Sequence, residues 1–84
     1  VHYHRYLLRR IPKQVYRALD VGCGLGLFAW KLAERSAIVD ALDVDSAVLA
    51  EASILNPAPN ISYLKTDFLA AELPEADYDV IVSI

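Results

Sequence analysis

Two periods alternate along this chain. Tyr16 to Val21 is a short apolar run, the length and character of a strand buried on both faces. Leu25, Phe28, Ala29, Leu32 and Ala33 then fall at i, i+3, i+4, i+7 and i+8, which is one stripe of an amphipathic helix. Lys31, Glu34 and Arg35 lie off that stripe and are expected to face water. Ala37 to Asp43 is a second strand pattern, and Ser46 is placed to cap a helix over Ala47 to Leu55, a segment rich in Ala and Leu. Asn56-Pro57-Ala58-Pro59-Asn60 breaks any regular element and is a loop. Ile61 to Lys65 is a third strand, Phe68 to Glu72 a helical turn, Pro74 to Asp77 a turn and Tyr78 to Ile84 a fourth strand. Upstream, Tyr3, Leu7 and Ile11 predict a helix over His2 to Ile11, closed by Pro12. The organisation is thus an N-terminal helical segment over residues 1–15 followed by an alternating strand and helix unit over 16–84. Such alternation predicts an α/β fold with a parallel sheet and right-handed crossovers.

Composition narrows the class. An apolar share of 56% in 84 residues suits one small globular domain rather than a disordered tail. No apolar run reaches the ~18–20 residues of a membrane span. Cys23 stands alone, so no internal disulfide exists and a cytoplasmic setting is the expectation. The net charge of −3 divides unevenly. Residues 1–17 carry Arg5, Arg9, Arg10, Lys13 and Arg17 and no acid, whereas residues 18–84 carry three bases and eleven acids. A basic segment of this kind is a solvated helix face or a surface for anions, but no basic stripe with interleaved aromatics marks a nucleic-acid binder. The chain holds no methionine and stops inside an apolar strand pattern, so it is expected to be a piece of a longer protein, truncated after its fourth strand.

Candidate chemistry lies where the first strand meets the first helix. Asp20-Val21-Gly22-Cys23-Gly24-Leu25-Gly26 puts three glycines at every second position, just before the helix. Glycine lets backbone turn sharply and approach a ligand, and a helix start offers N–H donors to it. The spacing is G-x-G-x-G. The dinucleotide fingerprint G-x-G-x-x-G would need a third glycine where Leu27 stands, which favours a cofactor without a pyrophosphate. Cys23, between two glycines, is a small residue filling a tight turn. Asp43 ends the second strand 21 residues after Gly22, where a carboxylate can accept from both ribose hydroxyls. Asp45 competes for that role, or serves as a favourable charge at a helix start. Asp67 follows the third strand on the same expected rim and can accept from an exocyclic amine, with Phe68 packing on the base.

These stretches resemble the class I S-adenosylmethionine-dependent methyltransferases over Ala18 to Ile84. The segment Asp20 to Gly26 is similar to that family's glycine-rich motif, and Ala41-Leu42-Asp43-Val44-Asp45 to its second. Lys65-Thr66-Asp67-Phe68 is similar to the third, and Tyr78 to Ile84 to the fourth. The resemblance implies a Rossmann-like three-layer αβα fold with strand order 3-2-1-4 in the part present. It also implies S-adenosyl-L-methionine as cofactor, with Asp20, Gly22, Cys23, Gly24 and Gly26 at its methionine end. Asp43 would hold the ribose, Val44 would lie beside the adenine, Asp67 and Phe68 would hold the adenine edge, and Ser83 would border the methionine part. The sulfonium methyl is already activated, so such an enzyme mainly aligns a nucleophile with it.

No metal site is expected, because His2 and His4 are two apart and no further ligands accompany them. The acceptor is expected to be a small molecule, and the truncated piece is expected to be inactive alone. Two other functions fit less well: a nicotinamide-dependent oxidoreductase, and a non-catalytic scaffold that keeps the cofactor pocket.

Overall fold

The computed structural model describes residues 8–66 and 77–83. Residues 8–10 are helical, and the chain then builds β1 (Val15–Val21), α1 (Leu27–Ala33), β2 (Ser36–Asp43), α2 (Ser46–Leu55), β3 (Ile61–Lys65) and β4 (Val80–Ser83). All neighbouring strands are parallel, and their spatial order is β3-β2-β1-β4. This is the expected Rossmann-like α/β arrangement. The helical turn expected over Phe68 to Glu72, most of the turn over Pro74 to Asp77, and Ile84 lie outside the described residues. So do residues 1–7 of the expected N-terminal helix.

The sheet grows outward from β1 through β2 to β3, so right-handed crossovers bring α1 and α2 to the same face. Ala18, Val39 and Ala41 cover that face from the strands and pack with Phe28, Ala29 and Leu32 of α1. Leu19 and Leu42, on the opposite face, are also fully buried. A strand buried on both faces needs apolar residues at nearly every position, which is why β1 and β2 read as runs rather than alternations.

Several local expectations change. Leu25 sits in the glycine loop rather than on the helix and is exposed, because α1 begins only at Leu27. Ser46 is the first residue of α2, and its cap is Asp45, whose carboxylate accepts from the N–H groups of Ala47 and Val48. Arg35 does not simply face water: its guanidinium donates to the carbonyls of Leu8 (2.7 Å) and Ile11 (3.3 Å) and ties the N-terminal residues to the end of α1. Around this contact, at the N-terminal end of the sheet, Leu8, Arg9, Ile11, Lys13 and Arg35 line a groove of 430 Å³.

Part of the basic excess is consumed internally. Arg17 makes two hydrogen bonds to buried Asp40, which also accepts from the Tyr78 hydroxyl at 2.7 Å. Asp79 takes the N–H groups of Tyr16 and Arg17 and closes the entrance between β1 and β4.

The proline loop is likewise held by side chains. Asn60 Nδ2 donates to the carbonyls of Ala33 and Ser36, bridging the end of α1 to the start of β2. Asn60→Ala strands both carbonyls and is expected to lower stability by about 1–2 kcal/mol, read as a lower urea midpoint with an unchanged slope.

Candidate functional site

The C-terminal ends of β1 and β2 build the site. Beyond Val21 the chain turns back on β2, and the N–H groups of Gly22 and Cys23 both donate to the carbonyl of Leu42 at 2.8 Å. Gly24 N–H then donates to Asp43 Oδ2 at 3.0 Å, and Gly26 N–H closes a turn onto Cys23 O. Gly22, Gly24 and Gly26 all have positive φ, between 55° and 83°, a region that residues with a Cβ adopt at a cost of ~1–3 kcal/mol. Around Gly22 and Gly24 a Cβ would find no atom within 4 Å. Gly26 differs: a Cβ there would lie 2.9 Å from Cε1 and Cζ of Tyr63 and closer still to its hydroxyl. The tight packing that the dinucleotide fingerprint assigns to a later glycine is met here by Gly26, against β3.

Under the loop is a cleft of 190 Å³ lined by Asp20, Gly22, Cys23, Gly26 and Phe28, with Leu25 and Leu27 at its edge. Asp20 lies two residues beyond Ala18 and so points to the face that α1 covers. It is buried, and its Oδ2 has no hydrogen-bond partner among the described residues. Burial, and secondarily the Asp43 carboxylate, push its pKa up to about 6. Burial, aided by Asp20 and Asp43, pushes Cys23 up to about 12, so it remains a thiol and a poor nucleophile at neutral pH.

Asp43 is half-buried at the rim. Its Oδ2 accepts from Gly24 and its Oδ1 from the Asp45 N–H at 3.1 Å. Each oxygen of a carboxylate has two acceptor directions, so both keep one for a ligand. Asp45 is occupied as the α2 cap. Val44 is exposed just beyond β2, and Ser83 ends β4 opposite Val21 at the same edge. The structure therefore gathers Asp20, Gly22, Cys23, Gly24, Gly26, Asp43, Val44 and Ser83 at one end of the sheet. Asp67 and Phe68 lie outside the described residues. Tyr63 was not singled out from sequence as a contributor to this region: its apolar pattern marks a strand residue, and only the sheet register sets it beneath Gly26.

Comparison with known proteins decides the family. A model of the methyltransferase domain matches residues 18–84. The chain belongs to that family. This methyltransferase domain is 41% identical over 83 residues to an uncharacterized methyltransferase of Mycobacterium tuberculosis, covering 99% of the chain and 42% of that protein. It is 35% identical to the ubiquinone biosynthesis O-methyltransferase of Saccharophagus degradans, covering 94% of the chain and 35% of that protein. Among solved structures, an S-adenosylmethionine-bound amino pentose methyltransferase from Micromonospora echinaspora superposes with a TM-score of 0.80 at 26% identity, covering 99% of the chain and 35% of its own. The chain thus spans less than half the length of these relatives. Among the described residues, no helix of the methyltransferase domain is long and apolar enough to cross a membrane, and no group of three His, Cys, Asp or Glu side chains is placed to hold a metal.

The isolated carboxylate has a measurable consequence. In the unfolded chain Asp20 titrates near its ordinary 3.8, and in the fold near 6. Folding stability therefore falls as pH rises from about 4 to 6, and the full penalty persists above that range. Asp20→Asn removes the buried charge. It is expected to raise stability at pH 7.5 by about 2 kcal/mol and to flatten the dependence between pH 4 and 6, measured by urea denaturation across pH.

Proposed function

We propose that this domain binds S-adenosyl-L-methionine and forms the cofactor half of an enzyme that moves its methyl group to a nucleophile on a small-molecule acceptor. The observation that carries the reading is the buried Oδ2 of Asp20, which finds no hydrogen-bond partner among the described residues, in the cleft under the glycine loop. A buried acceptor with no donor calls for a cation. The α-ammonium of the cofactor's methionine end supplies one, and with its sulfonium outweighs its α-carboxylate, so the cofactor is net cationic in a site flanked by Asp20 and Asp43. A dinucleotide would instead bring an anionic pyrophosphate toward the same two carboxylates, an unfavourable pairing in a partly desolvated cleft. This electrostatic sign separates the methyltransferase reading from the nicotinamide one more sharply than the glycine spacing does.

The residues present fit the cofactor. Gly22 and Gly24 leave open space where side chains would stand, so backbone can line the methionine end. The free acceptor directions of Asp43 suit a ribose diol, and Val44 beyond it offers an apolar surface for adenine. Asp67 and Phe68 complete the adenine end in this reading, and Ser83 borders the methionine part. When bound, the cofactor supplies an electrophilic methyl. The domain's own residues orient it, and buried Phe28 gives the cleft an apolar wall on one side.

The acceptor site belongs to the remainder of the protein in this proposal, consistent with a chain that spans less than half of its relatives. A small-molecule acceptor accords with the sugar methyltransferase among its structural neighbours. The lone thiol of Cys23 suits a reducing compartment, and we place the protein in the cytoplasm.

Asp43 and Asp45 divide the roles cleanly enough to test. Asp43→Ala is expected to weaken S-adenosylmethionine binding by about 2 kcal/mol, roughly thirtyfold in Kd. Asp45→Ala is expected to cost about 1 kcal/mol of folding stability through the lost cap, with little change in affinity. Calorimetric titration of both variants checks this, and the reverse pattern moves the ribose to Asp45.

A further inference from the structure

The proline loop and β3 reach the glycine loop from below, at a point no ligand-facing residue explains. The Tyr63 hydroxyl donates to the backbone carbonyl of Asn56 at 2.7 Å. Asn56 Nδ2 in turn donates to the carbonyl of Leu25 at 2.9 Å. The Tyr63 ring fills the space beside the α-carbon of Gly26, where a Cβ would have to stand. One aromatic ring and two hydrogen bonds therefore join β3, the end of α2 and the glycine loop into a closed circuit. The backbone at Asn56 is itself fixed, because its N–H donates to Ala52 O as the C-terminal cap of α2. Pro57 and Pro59 stiffen the chain that follows.

The sheet register explains why this circuit reaches the site. Asp20 of β1, Ala41 of β2 and Tyr63 of β3 stand in one cross-strand row. All three point to the face that carries the glycine loop, and the smallest, Ala41, is in the middle. Asp20 and Tyr63 thus stand on either side of that alanine, and the Tyr63 ring lies beside Gly26. Burial, with Cys23 and Asp20 nearby, pushes Tyr63 up to about 12, so its hydroxyl stays a donor at neutral pH.

We propose that Tyr63 and Asn56 are positioning residues for the glycine loop, setting its height over Asp20 and hence the shape of the cleft that takes the amino-acid end of the cofactor. Neither touches the cofactor in this account. They act through Leu25 and Gly26, and the proposal rests on the reading that the glycine loop holds the methionine end. The loop has three residues at positive φ, and besides the turn of Gly26 N–H onto Cys23 O and the start of α1 at Gly26, its far half is held by this circuit. Its near half hangs from Leu42 and Asp43 of β2, whereas Leu25 and Gly26 lie past those anchors. Without the brace, several backbone arrangements compete, and the binding-competent one is diluted.

The test uses the full-length parent protein with two probes, S-adenosylhomocysteine and 5′-methylthioadenosine. The second shares the adenosine and thioether but lacks the amino-acid end. Tyr63→Phe removes one hydrogen bond and keeps the ring. Asn56→Ala removes the other and keeps the backbone carbonyl that Tyr63 uses, so each variant tests a different bond should the other fold poorly. Each is expected to raise the Kd for S-adenosylhomocysteine about fivefold, the worth of one such bond, while the Kd for 5′-methylthioadenosine changes less than twofold. Amide exchange at residues 24–28 is expected to accelerate in both ligand-free variants. Equal weakening of both probes, or no change in either probe with exchange unaltered, overturns the proposal. If the wild-type protein binds neither probe, the cofactor reading falls, and the assigned role falls with it. Exchange at residues 24–28 then still shows whether the brace orders the loop, so the two failures are distinguishable.

Discussion

The glycine loop hangs from the end of β2. A single carbonyl, that of Leu42, receives the N–H groups of both Gly22 and Cys23, and the adjacent Asp43 carboxylate receives that of Gly24. Three consecutive backbone donors at a turn would otherwise be costly to shelter from water. Pairing them with β2 forces the chain to fold back over the sheet edge rather than run on into solvent. That reversal carries the backbone over Asp20, creates the cleft and directs α1 down onto the sheet. Asp43 is thus a structural anchor before it is a ligand contact, and its two roles use different acceptor directions of the same carboxylate.

The site is held ready by groups that pull in opposite directions. Asp43 is satisfied by the backbone it anchors, whereas Oδ2 of Asp20 is buried with no partner among the described residues. A fold selected for stability alone would not keep such a carboxylate, because its desolvation is uncompensated. A cationic ligand end converts the liability into affinity. It gives the buried Oδ2 a donor and sets a counter-charge beside a carboxylate that is already ionised at pH 7.5. The thiol between the glycines stays neutral in the same field, so the local negative potential serves recognition rather than covalent chemistry.

Much of this was legible in the chain. Buried parallel strands declare themselves as apolar runs, and the loop between β1 and α1 declares itself by glycines that only positive φ explains. Sheet order followed from the family resemblance, since strand periodicity by itself carries no information about which strands become neighbours. What escaped was mostly side chains reaching across sequence distance. Ser46 looked like the better cap because serine favours that position, but Asp45 occupies the extended conformation a cap needs and takes two N–H groups. Arg35 looked solvated because it lies off the helix stripe, yet its guanidinium reaches the carbonyls of Leu8 and Ile11 in the N-terminal segment. The asparagines of the proline loop read as helix breakers, whereas their amides hold the glycine loop at Leu25 and the end of α1 at Ala33. Tyr63 carried no signal beyond strand propensity, and its meaning comes only from the row it shares with Asp20.

The central claim is that this rim takes a nucleoside whose amino-acid end sets an ammonium against Asp20, rather than a pyrophosphate. Parallel calorimetric titrations of the protein with S-adenosylmethionine and with NAD, each at pH 7.5 and at pH 5.5, test it most directly. The account predicts saturable binding of S-adenosylmethionine alone, weakening at pH 5.5 as Asp20 takes up a proton. Saturable binding of NAD with no response to S-adenosylmethionine would contradict it.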